Sequence, residues 1–203
     1  MKYDKDGVII SDSLNGLGTD IYKEYLSHAL CLGGACKFEF NGNPFELHEG
    51  DCMIVRKGKL VEKITPSADF KVKVIYVTPQ FIELCTPQSN YGMKGQLSLF
   101  LNPVMRLDRE QQDICKKDFE NIEYRFNNEN HNFYRDIMIN VIQTMILDFF
   151  DFISNSVLMP IVAFLTCVFV GFIVKPETIM DEVESSTQKF KSKKLYIVLI
   201  KYV

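Results

Sequence analysis

From Tyr25 to Thr78 apolar and polar residues alternate with a period of two, the spacing of strands that bury one face. In Cys36-Lys-Phe-Glu-Phe40, Cys36, Phe38 and Phe40 share one face and Lys37 and Glu39 the other, and Asn41-Gly42 supplies the positive φ angles of a tight hairpin. Phe45 and Leu47 carry the apolar face onto the return strand. Gly50-Asp51 makes the next turn, and Cys52-Met-Ile-Val55 is apolar throughout, which predicts a strand covered on both faces. Arg56-Lys57-Gly58-Lys59 turns the chain again. In Lys71-Val-Lys-Val-Ile-Tyr-Val77, Lys71 and Lys73 point outward to solvent while Val72, Val74 and Tyr76 point inward. Short strands separated by Gly, Pro and Asn turns predict a small antiparallel β-barrel or jelly roll over residues 25–106, after a polar, turn-rich arm at 1–24.

After Pro79 the period changes. Pro87 to Pro103 is a loop-rich crossing, and Asp108 with Gln111 three residues on makes a capping box. Ile114, Cys115, Phe119, Ile122 and Phe126 then recur at helical spacing. The polar break NNENHN separates this helix from a second, about Phe133 to Phe152, whose apolar stripe is broader than one packing seam needs. The short link predicts an antiparallel helical hairpin over 107–152, so the fold class is α+β. One flank of the hairpin covers the strands. The other, carrying Ile137, Val141, Met145 and Phe149, is left for a second copy, which predicts a homodimer.

Residues 153–203 form an atypical hydrophobic tail. Ile153 to Val174 holds no charged residue, a run long enough to cross a bilayer if helical. Asp148 and Asp151 precede it and Lys175, Lys189, Lys191, Lys193 and Lys194 follow, so the positive-inside tendency puts the strands outside and weighs against a membrane anchor. A second reading packs the run on the strands, with YIVLIKYV as a terminal strand. The preferred reading is that the amphipathic logic of residues 25–152 simply stops, as a frameshift or truncation leaves it.

Composition narrows the function. With 203 residues, 47% of them hydrophobic, the chain holds one core plus an appendage, and a net charge of −3 offers no basic field to nucleic acid. The six cysteines (31, 36, 52, 85, 115 and 167) lack a CxxC spacing, and MKYDKDGV lacks the apolar core of a secretory signal, so reduced thiols in the cytoplasm are expected. His28, His48 and His131 make no His-x-His pair, which predicts no metal. His48, beside the Glu49-Gly50-Asp51 turn, fits a solvated loop. No Ser or Cys sits in a nucleophile elbow, so no catalytic residue and no cofactor are expected. A sensor needs an apolar pocket with a few polar groups. Inward Phe38, Phe40 and Tyr76, with His28 and Arg56 near the barrel mouth, are the candidate ligand-binding residues, although each taken singly also fits plain core or a solvated turn.

The order of these parts resembles a known family. The motif F-x-x-x-G-x-x-x-x-L-x-x-G-D (Phe38, Gly42, Leu47, Gly50, Asp51), then LNPVMRLDREQQ, then a helix hairpin, is similar over residues 20–152 to the N-terminal half of an AraC-type transcriptional regulator. The resemblance implies a cupin-like barrel that senses a small-molecule effector and helices that dimerise, with occupancy shifting the arm or the dimer helices. Regulators of this family continue into two helix-turn-helix motifs. The 51 residues after Phe152 do not hold such a domain, so direct DNA binding is not expected of this chain. The alternative is a stand-alone small-molecule-binding barrel, membrane-associated through residues 153–174.

Overall fold

The computed structural model describes residues 2–3, 7–85, 102–155, 159–174, 176–185, 194–195 and 198. Most of the crossing expected at 87–103 and, apart from Val198, the terminal strand expected at 196–203 lie outside them. The chain divides into two compact units, Met1–Phe150 and Asp151–Val203.

The first unit is built on antiparallel strands. They are β1 (Lys2–Tyr3), β2 (Val8–Ser11), β3 (Leu26–Gly33), β4 (Ala35–Phe40), β5 (Asn43–His48), β6 (Cys52–Val55), β7 (Val61–Pro66), β8 (Lys71–Val77) and β9 (Val104–Met105). The expected turns are present. Asn41 and Gly42 adopt φ of 50° and 76° between β4 and β5, and Gly50 adopts 83° before β6. The expected closed barrel is not found. Among the described residues the strands form a six-stranded sheet, β1-β2-β8-β3-β6-β9, and a separate three-stranded sheet, β5-β4-β7. No ladder joins the two, and they share one apolar core to which both contribute side chains.

Residues 8–22 are not a polar arm. Val8-Ile9-Ile10 pairs along β8, and Leu14, Leu17 and Tyr22 are buried in the shared core. A short helix α1 (Pro79–Cys85) follows β8. Helices α2 (Arg109–Phe126) and α3 (Tyr134–Ile153) form the hairpin, and α2 opens with the expected capping box. Gln111 N–H donates to Asp108 Oδ1 at 2.9 Å and Asp108 N–H donates to Gln111 Oε1 at 3.1 Å.

The hairpin lies on the face of the six-stranded sheet away from the shared core, which explains why Cys52–Val55 is buried at every position. This contact consumes part of the stripe reserved for a dimer. Met145 and Phe149 are 0% and 4% exposed, whereas Ile137 and Val141 are half-buried. Lys73 points outward as expected but does not meet open solvent. Its side chain is 19% exposed and pairs with Asp12 at 2.7 Å and with Glu123 of α2 at 3.0 Å.

In the second unit, α4 (Met159–Val168) runs into a π-helical turn (Phe169–Val174), and α5 (Pro176–Ser185) follows. Ile161, Phe164, Leu165, Phe172 and Ile173 are exposed. No helix among the described residues is long and apolar enough to cross a membrane. α4 has 10 residues, about 15 Å of rise against a hydrocarbon layer of about 30 Å.

Replacing Asp108 by Ala removes one orphan-amide partner and should lower unfolding free energy by about 1 kcal/mol in urea titration. The hairpin also joins two carboxyls. Burial, then the charge and hydrogen bond of Asp148, push Asp118 up to about 7. The folded state therefore binds more protons than the unfolded chain between the ordinary carboxyl value of 3.8 and about 7, and Asp118's contribution to stability is lost as pH rises through that window. Asp118→Asn should flatten this part of the pH–stability curve; a curve identical to that of the unsubstituted chain would contradict the assignment.

Candidate functional site

The interior between the two sheets is set by register. On β3, Ser27 lies opposite Val55 and Tyr76, and Ala29 opposite Met53 and Val74. Alternation therefore turns Ser27, Ala29 and Cys31 toward the interior and His28 and Leu30 toward the helices. Facing them from β4, Phe38 and Phe40 belong to the same apolar cluster, with Phe45 stacked on Phe38 at 6.0 Å between centroids.

Two polar features interrupt this apolar interior. Ser27 is fully buried and its Oγ has no hydrogen-bond partner among the described residues. Tyr76, also fully buried, donates from its hydroxyl to the Ser13 carbonyl at 3.4 Å, a long bond. Burial, then the neighbouring Tyr22, push the Tyr76 phenol well up, so it stays a neutral donor.

The segment after β2 closes this end of the interior. A 3₁₀ turn at Leu14–Gly16 is capped by Ser13, whose Oγ accepts from Asn15 N–H at 3.1 Å. The turn brings Gly16 so near that a Cβ there would stand 2.8 Å from the Tyr76 hydroxyl and 3.0 Å from the Tyr22 ring. Tyr22 stacks on Tyr76 with centroids 4.5 Å apart, and Tyr25 meets Tyr22 edge-on at 5.3 Å. Leu14, Leu17 and Tyr22 thus cover the interior from one side. Apolar walls with two hydroxyls suit recognition of a largely apolar molecule.

Of the five candidate ligand residues, Phe38, Phe40 and Tyr76 come together in this interior. His28 does not. It lies on the opposite face of β3, edge-on to Phe149 with centroids 4.8 Å apart, and its Nδ1 has no partner among the described residues. Burial lowers its pKa from 6.5 to about 3, so it is neutral. Arg56 is exposed in the turn after β6. For His28 the cause is that alternation and chain order place a residue on a strand, but the face it serves depends on the layer packed there. Periodicity gives no sign of the role of Ser27, because Leu26-Ser-His-Ala-Leu-Cys31 is nearly apolar on both faces, and Tyr22 lies in the turn-rich segment before β3, where no period marks a buried face.

The Gly-Asp turn is a structural latch. Asp51 Oδ2 accepts from His48 N–H at 2.7 Å and from the Arg106 guanidinium, which also donates to the Glu46 carbonyl at 3.3 Å. Burial raises the Asp51 pKa, opposed by the His48 amide and by Arg106. A Cβ on Gly50 would stand 2.6 Å from the Gln112 side chain, so the turn also seats α2. His48 is exposed, with its imidazole 3.8 Å from Glu46. Cys31, Cys36, Cys52, Cys85 and Cys115 are buried free thiols.

Among the described residues, one cleft of about 320 Å³ lies at the turn of the helical hairpin, and another of about 410 Å³ lies on the outside of the three-stranded sheet beside Lys37 and Lys63.

A family model described as AraC-like ligand binding domain matches residues 27–134, just over half of the chain. The chain belongs to this family. The match runs from β3 into the start of α3, and so includes both sheets' central strands, the Gly-Asp latch and the capping box. No curated protein matches the chain. Among solved structures, the AraC-like transcriptional activator CuxR is similar at 13% identity and a TM-score of 0.42, over 95% of this chain and 66% of CuxR. The chain thus spans just under two thirds of CuxR's length. ToxT from Vibrio cholerae O395, bound to (E)-4-(8-methylnaphthalen-1-yl)but-3-enoic acid, is similar at 11% identity and a TM-score of 0.41, over 99% of this chain and 74% of ToxT. A second ToxT structure matches at 12% identity and a TM-score of 0.39, over 98% of this chain and 72% of that one.

In this AraC-like domain His28 is a packing residue with a pH signature. Its folded pKa lies below the unfolded 6.5, so its share of stability is present above about 6.5 and is lost as pH falls toward about 3. His28→Leu also removes the unpartnered Nδ1. It should raise stability at neutral pH by about 1 kcal/mol and make the acid limb shallower, as read from thermal melts across pH.

Proposed function

We propose that the domain binds a small, mostly apolar effector between its two sheets and passes occupancy to a homodimer interface on its helical hairpin. The reading rests on Ser27, a buried hydroxyl left without a partner in an otherwise apolar interior, beside the weakly bonded Tyr76 hydroxyl. Such a group costs about 1–3 kcal/mol unpaired, a cost that a ligand's polar group recovers on binding. Phe38, Phe40 and Tyr22 supply the walls, and the Leu14–Tyr22 segment moves aside for entry.

A route to the hairpin exists in Lys73. It holds Asp12, two residues before the 3₁₀ turn, and Glu123 of α2 at once. Burial lowers the lysine's pKa, but the hydrogen bonds it donates to Asp12 and Glu123 outweigh this and raise it, so the ammonium is held charged. Movement of the covering segment would release one carboxylate of the pair and shift α2, a change in populations rather than a new contact. In this reading the domain is the cytoplasmic sensing part of an AraC-type regulator, not an enzyme, and direct DNA contact is not assigned to these residues. Ile137 and Val141 remain as the dimer contacts, with Met145 and Phe149 beneath them.

Two measurements test the proposal on the full chain. A thermal-shift screen of small apolar alcohols, ketones and acids should yield a stabilising compound, and Ser27→Val should raise the ligand-free midpoint while weakening that compound about tenfold, the effect of one lost hydrogen bond. Undiminished binding to the variant would place the effector elsewhere. For the dimer, light scattering should report twice the chain mass, and Val141→Glu should halve it. A monomer before substitution would overturn the interface.

A further inference from the structure

We propose that the turn of the helical hairpin is a second binding site, for a small planar carboxylate carrying an apolar ring. The site is the cleft of about 320 Å³ between the end of α2 and the start of α3, within the size range of small-molecule pockets. It lies outside the sheet interior and does not depend on the effector reading above.

Arg125, in the last turn of α2, is the cation of the cleft. Its guanidinium carbon lies 5.4 Å from the centroid of the Tyr124 ring. Among the described residues no carboxylate lies within ion-pair distance of it. Its Nε is sealed from solvent and has no acceptor among the described residues, so the Nη1–Nη2 edge is the one left for a planar, two-oxygen partner.

The other donors narrow the class. The amides of Asn127 and Asn128 donate back to the Glu123 and Tyr124 carbonyls at 2.8 and 3.1 Å, closing off the helix end. His131 Nδ1 accepts from Phe133 N–H at 3.2 Å, so in the neutral ring Nε2 carries the proton and is a donor. The guanidinium is the fixed positive charge of the cleft and matches a single negative charge. A dianion such as phosphate would leave excess negative charge beside the carbonyl end of α2. The Tyr124 and Tyr134 rings and Ile137 line the rest of the cleft and suit an apolar ring.

The test is a titration of the isotope-labelled full chain with sodium benzoate, the neutral isostere benzamide, and inorganic phosphate, read by amide chemical shifts. Benzoate should move residues 124–137, and the two controls should not. Arg125→Gln should weaken benzoate about tenfold, the typical loss for a charge-assisted pair. Should that variant fail to fold, His131→Gln is expected to weaken benzoate several-fold. Benzoate binding that survives the substitution, phosphate binding as tight as benzoate's, or shifts confined to Ser27 and Tyr76 would each overturn the proposal. The last result would leave the interior site standing.

Discussion

One strand serves two cores. β3 is hydrogen-bonded to β8 on one side and β6 on the other, so its backbone is fully occupied and neither face of its central part reaches water. Everything on it must then be apolar, paired or neutral. Ala29 and Cys31 meet this by being small and apolar and His28 by shedding its proton, while Ser27, neutral as well, keeps a hydroxyl without a hydrogen-bond partner among the described residues. A slip of one residue would exchange the two sets and put the imidazole in the interior, which is why the β3 register underlies both the packing of the hairpin and the chemistry of the interior.

Charge is placed where layers meet. Lys73 joins the segment after β2, the large sheet and α2, while Asp51 with Arg106 joins the β5–β6 turn to the residues that lead into α2. Each is partly shielded, so each is worth more than an open surface pair and is less screened by salt. By contrast Lys63 with Glu39, on an exposed bulge of the small sheet, holds no two layers together.

The hairpin divides its surface unequally. Met138, Ile142, Met145 and Phe149 are buried, while Ile137 and Val141 stay half-exposed. Its turn holds an arginine with no carboxylate partner among the described residues. One supersecondary unit therefore presents three environments: a packed face, a partly apolar flank and a polar cleft. The family match ends at the beginning of its second helix, so the flank and most of the packed face lie beyond the matched residues.

Local patterns determined much on their own. The strands from β3 to β8, the Asn41-Gly42 and Gly50 turns, the capping box at Asp108 and the two hairpin helices are each encoded within a few residues, because backbone sterics and orphan amides act at that range. The motif through Phe38, Gly42, Leu47, Gly50 and Asp51 carried the family for the same reason. Tertiary structure decided what each apolar face packs against. Periodicity says that a face is buried and not by which layer, and where both faces are apolar, as at residues 26–31, it says nothing of inside and outside. So the placement of His28, the pairing of Lys73, the burial of Met145 and Phe149, the covering role of Leu14 to Tyr22 and the separation into two sheets emerged only when distant segments met.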